Sequence, residues 1–175
     1  MTPPTCSVSM TKSGNCAASG EEYKSGKWTQ CDVDVSVSNC VDDLSGISSG
    51  SSSYSTSYTS ECNKKVSVDS ITDKAGNAFT SSQTIRIDRT DPVPNLSCDG
   101  DSCTFSCYDL NGISCITYAV GPQSSGVNTG GSCTRGDDTN AGKNSIEFKI
   151  PDTYKSKVTV VGECTDYARN GKTDN

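Results

Sequence analysis

The chain has 175 residues, 11 of them Cys and none His, with a net charge of −6 and a hydrophobic fraction of 31%. Without histidine there is no Ser-His-Asp triad, Cys-His dyad or imidazole metal site. The acidic balance, with Lys and Arg scattered, argues against a nucleic-acid partner, and no apolar run is long enough to insert in a membrane.

Met1-Thr2-Pro3-Pro4 has neither a basic start nor an apolar stretch, so Met1 reads as the start of an expressed fragment whose export signal and anchor lie outside it. No segment repeats its apolar residues at helical spacing, which predicts strands and turns throughout. Cys31, Val33, Val35 and Val37 alternate with Asp32, Asp34 and Ser36, as on a half-buried strand. Trp28, just upstream, is expected to cover one end of the domain. Asp42–Ile47 reads as a turn.

Ser48–Ser60 follows, SSGSSSYSTSYTS. Ser, Gly and Tyr dominate antibody recognition loops, because Tyr offers rigid amphipathic area and Ser adaptable hydrogen bonds. Tyr54 and Tyr58 share parity, so both face one way on an extended segment; with Ser55 and Ser57 they are the candidate binding residues. The plainer expectation is a solvated polar hairpin, or tyrosine rings packed down on the edge of the domain. Further strands are expected at Val66–Val68 and Thr84–Ile87, with a turn at Thr72–Asn77 between them.

Asp88–Pro94, with two prolines, is expected to be a short stiff linker dividing the chain into domains 1–89 and 90–175. In the second domain Cys103, Phe105 and Cys107 alternate with Thr104 and Ser106, and strands are expected at Ile116–Val120, Ser145–Ile150 and Lys157–Cys164. Gly121–Gly136 is a second candidate binding loop.

The two halves repeat one another. Thr72-Asp73-Lys74-Ala75-Gly76-Asn77 is echoed by Thr165-Asp166-Tyr167-Ala168-Arg169-Asn170. Asp42-Asp43-Leu44-Ser45-Gly46-Ile47 is echoed by Asp109-Leu110-Asn111-Gly112-Ile113, and Thr2-Pro3-Pro4 by Thr90-Asp91-Pro92. So thin an apolar content implies covalent help, and cysteines without zinc-finger spacing read as disulfides, which place the protein outside the cytosol. Strand parity turns Cys107 and Cys164 inward, so a Cys107–Cys164 bridge would pin two sheets together. A bulge after Val68 would put Ile71 at the place equivalent to Cys164, leaving Cys40 to another partner, for which Cys62 is a candidate. Cys98 and Cys103 flank a hairpin turn; Cys115 with Cys133, and Cys16 with Cys31, follow by elimination. Cys6 is left over, and sequence alone does not determine the connectivity.

The run Thr-Asp-Lys-Ala-Gly-Asn, then Ile85-Arg86-Ile87-Asp88-Arg89-Thr90-Asp91-Pro92, resembles the junction between bacterial Ig-like repeats, and Gly26-Lys27-Trp28-Thr29 leading into Val33–Val37 fits their first half. The resemblance covers nearly the whole chain, twice. It implies an all-β protein of two tandem immunoglobulin-like β-sandwiches, from the large surface proteins of bacteria, adhesins and secreted glycan-active enzymes included. Two departures stand out: Arg169 replaces Gly76, and the second copy reaches Asn175 without an evident closing strand. The expected function is a non-enzymatic extracellular spacer and interaction module. The alternatives are a direct binder of a host protein (an immunoglobulin among them) or a glycan, and an accessory domain of a glycan-active enzyme. No cofactor is expected, with one opening: Asp43, Asp73, Asp88 and Asp91 lie in turns and at the junction, where carboxylate oxygens suit calcium, although Asp in a turn usually bonds its own backbone.

Overall fold

The computed structural model describes residues 2–49, 52–68, 71–122, 144–154 and 158–174. It is all-β and divides into two compact units, Met1–Asp88 and Arg89–Asn175. Among the described residues no helix is long and apolar enough to cross a membrane.

Unit 1 contains β1 (Thr5–Ser13), β2 (Trp28–Thr29), β3 (Asp32–Val41), β4 (Tyr54–Tyr58), β5 (Cys62–Val68) and β6 (Ser81–Ile87). They form two three-stranded sheets, ordered β1-β3-β4 and β2-β6-β5. Alternation along β3 turns Val33, Val35 and Val37 into a cluster with Val66 and Val68 of β5, Ile85 and Ile87 of β6, and Tyr23 and Ile71. Each Val or Ile so buried contributes roughly 1.5–3 kcal/mol. Tyr23 sits in this core with its hydroxyl satisfied: it donates to the Lys27 carbonyl (2.7 Å) and accepts from the Arg86 amide (3.0 Å). Half-buried Trp28 pairs in parallel with Arg86, whose guanidinium lies 5.6 Å from the indole centroid.

One expected pairing is overturned. Cys40 bonds Cys6, and Cys62 is a free, half-buried thiol. The cause is a bulge. Thr5 pairs with Val41 but Ser7 with Ser38, so Asn39 and Cys40 together face Cys6. Asn39 takes a left-handed φ of 52° there. The extra residue breaks the alternation that would otherwise carry on from Val37, and it brings the Cys6 and Cys40 Cα atoms to 4.1 Å. Cys16–Cys31 forms as expected.

Unit 2 contains β7 (Val93–Asp99), β8 (Ser102–Tyr108), β9 (Ile113–Pro122), β10 (Ser145–Lys149), β11 (Val158–Asp166) and β12 (Gly171–Asp174), with a 3-10 turn at Asp152–Tyr154. The sheets are β10-β8-β7 and β12-β11-β9. Phe105 of β8, Ile116 and Val120 of β9, Phe148 of β10 and Cys164 of β11 meet in one buried cluster, and Tyr118 stacks on Phe148 with ring centroids 4.0 Å apart. Cys107–Cys164 links β8 to β11 and so joins the two sheets. Cys98–Cys103 ties the β7–β8 hairpin one residue pair away from its two-residue turn, where Gly100 takes a φ of 60°. Cys115 is disulfide-bonded; Cys133, its expected partner, lies outside the described residues, as does nearly all of Gly121–Gly136.

Two further expectations change. The linker is shorter than Asp88–Pro94, because Val93 and Pro94 already belong to β7. Pro94 is tolerated because β7 is an edge strand. A short closing strand does exist in the second unit: β12 pairs antiparallel with β11, Thr173 opposite Glu163.

Candidate functional site

The repeated motifs become repeated turns. In unit 1 the Asp73 amide donates to the Asn77 carbonyl (3.0 Å), while the Asp73 carboxylate accepts from the Asn77 amide N–H (2.8 Å) and side-chain Nδ2 (2.6 Å). Unit 2 repeats all three bonds between Asp166 and Asn170, at 3.1, 2.9 and 2.6 Å. The difference at the fifth position of the motif changes nothing in this geometry. Gly76 has a φ of 86° and Arg169 a φ of 72°, so arginine is held in the conformation that glycine adopts freely.

The preceding turn is paired as well. One oxygen of Asp42, Oδ1, accepts from the amides of Leu44 (3.2 Å), Ser45 (2.6 Å) and Gly46 (2.9 Å), and from the Ser45 hydroxyl (3.0 Å). Asp109 Oδ1 accepts from the Asn111 amide at 2.7 Å. The two turns of each unit touch. Lys74 donates its amide to the Gly46 carbonyl (3.0 Å), the Ser114 hydroxyl donates to the Thr165 carbonyl (2.9 Å), and carboxylate oxygens of Asp109 and Asp166 lie within 4.8 Å of one another. Hydrogen bonds to the charged form hold Asp73 below its ordinary pKa, that of the Asn77 side chain first; for Asp42 the Ser45 amide leads.

These bonds decide what the acids can do. Asp73 is 2% exposed and Asp166 is fully buried, and both carboxylates accept the bonds that fix their turns. Of the residues named for calcium, Asp43 is exposed, Asp73 accepts from Asn77, and Asp88 is buried where β6 ends, its amide donating to the Thr29 carbonyl (3.0 Å). Among the described residues Asp43, Asp73 and Asp88 do not gather at one point; Asp91 is an exposed residue of unit 2. Asp42, Asp109 and Asp166, whose bonds define the turns, were visible in the sequence as members of the repeated motifs.

The serine- and tyrosine-rich segment is strand rather than loop at its centre. β4 pairs with β3 in unbroken register, from Val33 opposite Tyr58 to Val37 opposite Tyr54. Tyr54 and Tyr58 thereby share the inward parity of the β3 valines and pack against the core cluster. Burial leads in raising the Tyr58 pKa, and Lys64 Nζ lies 4.7 Å from its ring centroid. Ser55 and Ser57 are exposed on the opposite face, and Ser57 donates to Asp34 Oδ1 at 2.5 Å.

Compared with protein-family models, curated proteins and solved structures, the chain matches none.

Proposed function

We propose that each unit is an immunoglobulin-like β-sandwich and that the chain is a non-enzymatic extracellular module of a bacterial surface protein, acting as a rigid spacer that also engages other proteins. The observation that carries this reading is Cys107–Cys164, which joins β8 of one sheet to β11 of the other, as the inter-sheet disulfide does in antibody domains. Ile71, fully buried, stands at the corresponding place of unit 1. The same Asp–Asn turn closes both units, which suits a module used in series. The disulfides are compatible with an extracellular location. The inward packing of Tyr54 and Tyr58 weighs against their serving as a recognition surface, so the spacer role stands ahead of the direct-binder role.

Force spectroscopy tests the spacer reading. The Cys107–Cys164 bridge closes 57 residues, which would otherwise lengthen the chain by about 190 Å at full extension. The oxidised chain is expected to resist lengthening, and reduction to release about that length from unit 2. A chain that extends equally before and after reduction would overturn the reading. Strong, saturable capture of one host serum protein or glycan by the immobilised chain would move the assignment to a direct binder.

A further inference from the structure

Edge strands carry open backbone donors and acceptors, and proteins blunt them with charge, proline, bulges or short length. Here β1 contains Lys12 and faces the bulge at Asn39–Cys40, β5 contains Lys64 and Lys65, β7 contains Pro94, β9 ends in Pro122, β10 contains Glu147 and Lys149, and β12 contains Lys172. β2 is only two residues long. Among the described edge strands β4 alone has none of these guards. It is the edge of sheet β1-β3-β4, five uncharged residues in regular register with β3, and no other described strand pairs with it.

Its sequence also reads the same in both directions, Tyr54-Ser55-Thr56-Ser57-Tyr58. We propose that β4 is a self-association edge, pairing antiparallel with β4 of a second copy of this chain about a two-fold axis at Thr56. In that alignment Tyr54 lies opposite the second copy's Tyr58, Ser55 opposite its Ser57, and Thr56 opposite its counterpart. An interface made of one surface presented twice must be self-complementary, and this palindrome meets the requirement residue by residue. Serine faces serine on the exposed side and tyrosine faces tyrosine on the core side, with no like charges opposed. Two three-stranded sheets would become one six-stranded sheet. A five-residue edge buries less than the roughly 1,000 Å² of a stable interface, so the dimer is weak and concentration-dependent.

The test is sedimentation equilibrium of the full chain from about 10 μM to about 1 mM, a range chosen for weak association. Wild type is expected to shift from monomer to dimer. Ser55→Lys with Ser57→Lys sets lysines against lysines and should weaken association at least about tenfold, and Ser55→Glu with Ser57→Glu should do the same. An equimolar mixture of the two variants should regain the dimer, which a change in folding alone would not produce. The proposal is overturned if wild type stays monomeric throughout, if the lysine variant dimerises as tightly as wild type, or if the mixture does not recover.

Discussion

The ring of Phe105 fills the space that a side chain at position 162 would need: a Cβ on Gly162 would stand 2.3 Å from Phe105 Cε2. Phe105 belongs to β8 and Gly162 to β11, so the two sheets of unit 2 close on each other at this point. Glycine within a strand marks such a close approach. Gly162→Ala is expected to destabilise unit 2 by about 1–3 kcal/mol through overpacking, read from the midpoint of denaturant unfolding. Phe105→Leu in the same chain should recover part of the loss, since the two positions share one space. Full additivity would show that the contact does not limit the packing.

Arg169 and Gly76 occupy the same place in the same turn with φ values of 72° and 86°. A non-glycine residue in that region costs about 1–2 kcal/mol, partly offset by the greater freedom of glycine in the unfolded chain. Arg169→Gly should therefore raise the stability of unit 2 by roughly 0.5 kcal/mol. Gly76→Ala should lower that of unit 1 by about 1 kcal/mol; nothing lies within 4 Å of the added carbon, so its effect is one of backbone alone. Thermal unfolding of the two variants checks both signs.

Acid should loosen unit 1. The folded state lowers the pKa of Asp73 and Asp42 from 3.8, so the unfolded chain holds those protons more tightly. The stabilisation is complete above the unfolded pKa and disappears as pH falls through the lower folded value. Stability measured against pH should fall below about pH 4. Asp73→Asn should make that fall shallower while lowering stability at neutral pH, where the Asn77 bonds are weakened.

The disulfides are unequal in what they hold. Cys107–Cys164 closes 57 residues and Cys98–Cys103 only 5, which by chain entropy corresponds to about 4 and about 2 kcal/mol. Replacing Cys107 and Cys164 together by Ala should cost more than replacing Cys98 and Cys103, and should expose unit 2 to proteases first. Equal costs would show that strain or residual structure outweighs loop length.

What the sequence disclosed, and what it hid, follows from how each residue is placed. β3 and β8 were legible because their buried side chains alternate strictly, Val33-Val35-Val37 and Cys103-Phe105-Cys107. The turns were legible because Asp and Asn recur at fixed spacing in both units. β1 and β4 carry mostly polar residues on edges, where half-burial leaves little apolar signal. β7 was obscured by Pro94, which an edge strand accepts. The Cys6–Cys40 pairing depends on the extra residue at Asn39–Cys40, and a bulge of that kind leaves no compositional mark. Tyr54 and Tyr58 had the right parity, but only the register with β3 settles that their shared side faces the core.

The pattern of joined sulfurs holds each unit together, and peptide mass mapping of the unreduced, alkylated chain reads it directly. It should return Cys6–Cys40, Cys16–Cys31, Cys98–Cys103 and Cys107–Cys164, with the alkyl label on Cys62. A Cys40–Cys62 linkage, or label spread over Cys107 and Cys164, would contradict it.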